Sequence, residues 1–84
     1  MVVLKKSDVE EKFSPEKLAH SILTANSETE ESLDVQLLLA EFQNIVADME
    51  QITTGQINVI VYGLLYSKSA TETLAHYAEF KKYE

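Results

Sequence analysis

The sequence predicts an α+β fold, mainly α: an N-terminal β-hairpin, set as a small β cap on a four-helix bundle, in a single domain over residues 1–84. Three observations lead there. Two short apolar or alternating runs, Val2–Leu4 and Val9–Phe13, flank the polar Lys5-Lys6-Ser7-Asp8 turn. Later stretches repeat apolar residues at i, i+3, i+4 spacing behind capping residues. Strand-like segments do not alternate with those helices, so no parallel sheet is expected.

Ser14-Pro15-Glu16 opens the first helix. Serine caps free N–H groups, proline has the φ that the first helical position needs, and an acid suits the positive end of the dipole. Leu18, Ala19, Ile22 and Ala25 then give one apolar stripe over a helix of about ten residues. Asn26 to Ser32 is a polar, acidic connector. The second helix starts near Ser32 or Asp34. Val35, Leu38, Leu39, Phe42, Ile45, Val46 and Met49 fill one face of it for about four turns, making it the longest element and the spine of the core.

Gln51 to Gln56 is a break, with Ile52-Thr53 as one short extra strand. Thr53 with Gln56 forms a capping box, and Thr54 is the alternative cap. Ile57, Ile60, Val61, Leu64 and Leu65 follow at helical spacing, which outweighs the β-branched run Val59-Ile60-Val61. Gly63 within that third helix is expected to let another element pack closely. A second capping box, Ser69 with Glu72, opens the fourth helix. Leu74, Tyr77, Phe80 and Tyr83 share its spacing, and Lys81 and Lys82 suit the negative end of its dipole.

Composition narrows the chemistry. With no cysteine there is no disulfide framework, cysteine zinc site or thiol nucleophile. No apolar run approaches ~18 residues and no signal-peptide pattern follows Met1, so no membrane partner is expected and the default compartment is cytoplasmic. The net charge is −7, and all of it lies beyond residue 17, where ten acids face only three lysines. Such a field repels nucleic acid, and without arginine the chain lacks the fork that reads guanine or phosphate. Residues 1–17 are balanced and hold Lys5, Lys6, Lys12 and Lys17. A small anion would have to use that cluster.

Catalytic constellations are poorly supplied. Gly55 and Gly63 are the only glycines, too few for a phosphate loop. His20 and His76 have no second ligand at metal-binding spacing, so no metal site is expected. No enzyme is expected. What remains is a seat for phosphate, with Lys5 and Lys6 at the turn, Lys17 on the first helix and Ser14 capping beside them. Glu11, on the second strand, can accept from an amine or hydroxyl of a nucleotide.

Lys5-Lys6-Ser7-Asp8, Glu11-Lys12-Phe13 and Glu16-Lys17-Leu18, followed by Thr54-Gly55-Gln56-Ile57-Asn58 and Leu74 to Lys81, resemble in order the ATP-cone domain. That family comprises allosteric ATP- or dATP-binding units of ribonucleotide reductases and of a repressor of reductase genes. The resemblance covers essentially the whole chain. It implies a nucleotide-binding regulatory module, with ATP or dATP as allosteric ligand, with or without magnesium. Another protein chain, a reductase or its regulator, would be the target, with a homo-oligomer left open. Lys5, Lys6 and Lys17 would bind phosphates, and Glu11 and Ser14 would meet the adenine or sugar edge. Thr54, Ile57 and Asn58 would line the other wall, Lys81 would reach the phosphates from the last helix, and Val3 and Ile22 would wall the base. Three departures stand out. Ser7-Asp8 replaces the family's Asp-Gly, so Asp8 must supply any positive φ. Lys6 and Lys81 stand where arginine is common. A chain ending at Glu84 is expected to act as a free-standing cone on another chain. The alternative is a degenerate cone without nucleotide that works as a protein-interaction module.

Overall fold

A computed structural model describes residues 1–81, so the expectations for Lys82 and Tyr83 lie outside the described residues. Strands β1 (Val2–Leu4) and β2 (Glu10–Lys12) form the expected antiparallel hairpin, with Val3 opposite Glu11. Val9 belongs to the turn and is exposed, so the second strand is shorter than its alternating pattern suggested. Asp8 adopts φ 62°, the positive φ that the missing glycine would have supplied. Its N–H donates to Lys5 C=O, and Lys5 N–H donates to Val9 C=O, closing the turn.

Helices α1 (Pro15–Ser27), α2 (Val35–Ile45), α3 (Thr54–Ser67) and α4 (Thr71–Lys81) make the bundle. The α+β, mainly α, fold class therefore stands, but the sheet is larger than a hairpin. A third strand, β3 (Gln51–Thr53), runs parallel to β1, with Ile52 opposite Val3, and the strand order is β2-β1-β3. The expectation of no parallel pairing was wrong. A strand of three residues needs no β-α-β alternation, because α1 and α2 together already return the chain alongside β1. Val3 and Ile52 point into the bundle and join its core.

Ser14 caps α1 as expected, its Oγ accepting from Lys17 N–H at 3.2 Å, with Pro15 at the first position. The helix runs to 13 residues, longer than its apolar stripe implied. Helix α2, capped by Asp34, has only 11 residues and is not the longest element. Its buried stripe is Val35, Leu38, Leu39, Phe42 and, just past the end, Val46. Ile45 falls off the edge of that i, i+3, i+4, i+7, i+11 line and is exposed, correcting its assignment to the core face. Phe42 is fully buried and stacks on Phe13, which fastens the cap to the bundle. Thr53 and Gln56 form the expected capping box at α3.

The junction between α3 and α4 departs from expectation in two ways. Ser69 is not a cap: it takes φ 59° just after α3. Ala70 N–H donates to Leu65 C=O and Ser69 N–H to Tyr66 C=O, a Schellman closure in which glycine is the preferred residue. Replacing Ser69 by glycine should therefore stabilise the fold by about 1 kcal/mol, since a left-handed residue with a Cβ is strained. Thermal melting should show a rise of roughly 4–8 °C. An unchanged or lower Tm would mean that the serine side chain holds this turn.

With Ala70 at the N-cap position, α4 has no side-chain cap of its own. Glu31, from the connector after α1, supplies it. Its Oε2 accepts from Glu72 N–H at 3.1 Å, and its Oε1 accepts from Thr73 N–H and from Thr73 Oγ1, both at 2.7 Å. Thr73 is fully buried and also accepts from Asn26 Nδ2. Desolvation pushes the Glu31 carboxyl up, but the hydrogen bonds from Thr73 and Glu72 outweigh it and hold it below the usual glutamate value. A carboxyl depressed in the folded state stabilises above its unfolded value of about 4.3, and that stability is lost as pH falls through the folded value. Melting followed from neutral to acid pH should show this loss, and Glu31→Gln should flatten that limb. An equally steep limb in the variant would assign the loss to other carboxyls.

Gly63 is exposed on α3, and a Cβ there would meet nothing within 4 Å, so it does not serve close packing inside the domain.

Candidate functional site

The inner face of the hairpin sets the site. Side chains two apart share a face, so Val3 and Lys5 project to the same side, as does Glu11 opposite Val3. That face meets the opening turn of α1, where Ser14 and Lys17 stand. Glu11 accordingly lies between two lysines, its Oε2 2.5 Å from Lys5 Nζ and its Oε1 3.0 Å from Lys17 Nζ. The hydrogen bond from Lys5, then that from Lys17, with both positive charges behind them, holds the Glu11 carboxyl below the usual glutamate value.

A cleft of about 1090 Å³ opens between this face and the bundle. Lys5, Lys6, Glu11, Ser14, Lys17, Thr54, Ile57, Asn58 and Lys81 all line it, so the structure gathers all nine residues singled out from the sequence into one hollow. Val3 lines it too. Ile22 does not: it is fully buried in the core, one turn below the rim, and cannot wall a ligand. Lys6 sits exposed on the turn.

Electrostatics single the cleft out. Five lysines (5, 6, 12, 17 and 81) and two acids (Glu11 and Glu16) line it, a formal balance of 5 − 2 = +3 in a chain of −7. The N-terminal turns of α1 and α3 also open onto it, through Ser14 and Thr54. Their partial positive charges add to the lysines. Thr54 and Asn58 are one turn apart on α3, with Ile57 between them as an apolar surface.

Residues outside the expected set complete the hollow, notably Lys12, Phe13, His20, Ser21 and Tyr77. His20 and Ser21 follow Lys17 at i+3 and i+4 and so share its helix face. Tyr77 is the informative omission. Its aromatic spacing marks it only as a core or interface residue, and it is fully buried, packing edge-on against Tyr62. Its hydroxyl nevertheless reaches the cleft, donating to Asn58 Oδ1 at 3.1 Å, which leaves the Asn58 amide N–H groups available to a ligand. Lys81, one turn on, lies 5.4 Å from the centre of the Tyr77 ring.

Among the described residues no group of three or more His, Asp or Glu could hold a metal ion, and no helix is long and apolar enough to cross a membrane. The cleft can therefore offer charge-assisted hydrogen bonds to an anion and an apolar surface beside it. The family model described as "ATP cone domain" matches residues 1–84. No curated protein matches the chain.

Proposed function

The chain belongs to the ATP-cone domain family, a family of nucleotide-binding allosteric modules, and on that footing we propose that the cleft seats ATP or dATP and thereby alters a contact with a second protein. The observation that carries the reading is a hollow of formal charge +3 in a −7 chain, lined by all nine residues expected from the sequence. Lys5, Lys6, Lys17 and Lys81 bind the phosphates as point charges. Ser14 and Glu11 meet the sugar or base edge, while Thr54, Ile57 and Asn58 form the facing wall. Any magnesium would arrive with the nucleotide, held mainly by its phosphates and water.

The second protein is a ribonucleotide reductase subunit or a regulator of that enzyme, and the nucleotide acts through linkage. A ligand shifts an assembly only when it binds the two states unequally. Calorimetric titration with ATP and dATP, with and without magnesium, is the direct test. Heat of binding and a raised Tm are expected. No heat and no thermal shift at millimolar nucleotide would end this reading.

One observation favours a second reading, a cone that has lost its ligand and acts through protein contact alone. Glu11 already occupies Lys5 and Lys17, so a phosphate must displace a carboxylate to reach them. A protein blind to nucleotide that still formed a defined complex with a reductase subunit would establish it.

A further inference from the structure

Two of the helices that flank the cleft run antiparallel and reach it with opposite ends. Helix α1 lines it with Lys17, His20 and Ser21 from its first turns, and α4 lines it with Tyr77 and Lys81 from its last. At their other ends, away from the cleft, a cluster of polar side chains ties the pair together. Asn26 Nδ2, on α1, donates to Glu31 C=O at 3.0 Å and to Thr73 Oγ1 at 3.1 Å. Thr29 Oγ1 donates to Asn26 C=O at 2.9 Å and accepts from Glu31 N–H at 3.1 Å. The Glu31 carboxylate then takes its three bonds from Glu72 and Thr73 on α4. Thr73 is fully buried, and no buried polar side-chain atom among the described residues lacks a partner. A network satisfied in this way is directional and holds one arrangement.

We propose that Glu31, acting through Thr73, is a positioning residue for the cleft: it fixes α4 against α1 so that Tyr77 and Lys81 stand where the ligand meets them. The inference rests on the reading of the cleft as a nucleotide seat. Thr73, Tyr77 and Lys81 follow one another at four-residue steps on one face of α4. A rotation or slide at Thr73 is therefore passed along a rigid helix to residues about 6 and 12 Å away. Asn26 lies nine residues beyond Lys17 on α1, a matching ~13.5 Å, so the pair is pinned at one end and open to a ligand at the other. Little movement is tolerated at the open end. The Tyr77 hydroxyl donates to Asn58 at 3.1 Å, and such a bond is gone by about 3.6 Å.

Capping alone would not call for this device. A serine or aspartate at position 70 would satisfy the first N–H groups of α4 locally. Ala70 stands there instead, and the acceptor comes from 41 and 42 positions away. What a remote carboxylate adds is location, because it holds α4 to the chain that leaves α1.

Titration with ATP of wild type, Glu31→Gln and Asp34→Ala tests this, well below the lowest Tm and with circular dichroism confirming that each is folded. Asp34 is the control: it is an exposed cap, accepting from Leu37 N–H at 3.1 Å on α2, a helix outside the cleft lining. ATP affinity should fall about 3- to 30-fold in Glu31→Gln and stay at the wild-type value in Asp34→Ala. The side-chain amide resonances of Asn58, recorded without nucleotide, should shift in the first variant and not in the second. Thr73→Val, which deletes the hydroxyl, should bind as weakly as Glu31→Gln, and Thr73→Ser, which keeps it, as tightly as wild type. Equal affinity in wild type and Glu31→Gln, or an equal loss in both cap variants, would overturn the proposal. So would equal affinity in the two Thr73 variants, a comparison that stands even if Glu31→Gln does not fold. A wild type blind to ATP would overturn the reading of the cleft instead. The Asn58 resonances would still decide the role of Glu31, and unshifted signals would overturn it.

Discussion

Replacing Lys17 by alanine should weaken ATP binding by about 10- to 100-fold while leaving Tm close to wild type. The affinity loss follows from a charge-assisted hydrogen bond of ~1.5–3 kcal/mol, each 1.4 kcal/mol being tenfold. The small effect on stability follows from exposure. The Lys17 side chain is 77% accessible and its partner Glu11 stands at the open rim, where an ion pair adds little to folding. Salt provides an internal check: the wild-type affinity should fall with ionic strength more steeply than that of the variant, because one attraction has been removed. Calorimetry at two salt concentrations, with a melt of each protein, measures both. If Tm fell sharply and affinity did not, Lys17 would be a structural residue, and the phosphate seat would have to be sought elsewhere.

Tyr77→Ala should be far more disruptive, costing about 3–5 kcal/mol. The side chain is fully buried, packs edge-on to Tyr62 at a ring separation of 5.9 Å, and closes the floor between α3 and α4. A domain of this length holds only about 4–13 kcal/mol in total, so a substantial fraction of the variant should be unfolded near body temperature. Tyr77→Phe separates the two roles. It keeps the ring and removes the hydrogen bond to Asn58, so it should cost about 1 kcal/mol, or roughly 4–8 °C. It should also weaken nucleotide binding, because Asn58 loses the group that orients its amide. Full retention of affinity in Tyr77→Phe would show that Asn58 needs no such support.

What could be read from the residues was whatever local chemistry decides. Ser14, Thr53 and Gln56 cap helices within three positions of themselves, and alternation along the hairpin places Lys5 and Glu11 on one face. The cleft was legible for the same reason, since its lysines come from a turn and a helix start that adjoin in sequence. Two features were not. The pairing of β3 with β1 depends on how two intervening helices return the chain, which no three-residue pattern encodes. The cap on α4 comes from Glu31, about forty positions away, so Ser69 and Glu72, at capping-box spacing, pointed to the wrong device. Tyr77 was hidden differently. Its ring belongs to the core and only its hydroxyl belongs to the site, and spacing reports the ring alone.

The parallel strand pair also bears on how the protein is made and unmade. Val3 and Ile52 meet across 49 positions of chain, so closing that loop costs entropy that no contact repays until α1 and α2 have docked. Thr54, Ile57 and Asn58, which follow β3 directly, face the hairpin only then, so the second wall of the cleft is completed late. A nucleotide that needs both walls has little to grip in the folding transition state. Its stabilisation should then appear as slower unfolding with the refolding rate almost unchanged, which stopped-flow measurements on the two limbs would resolve.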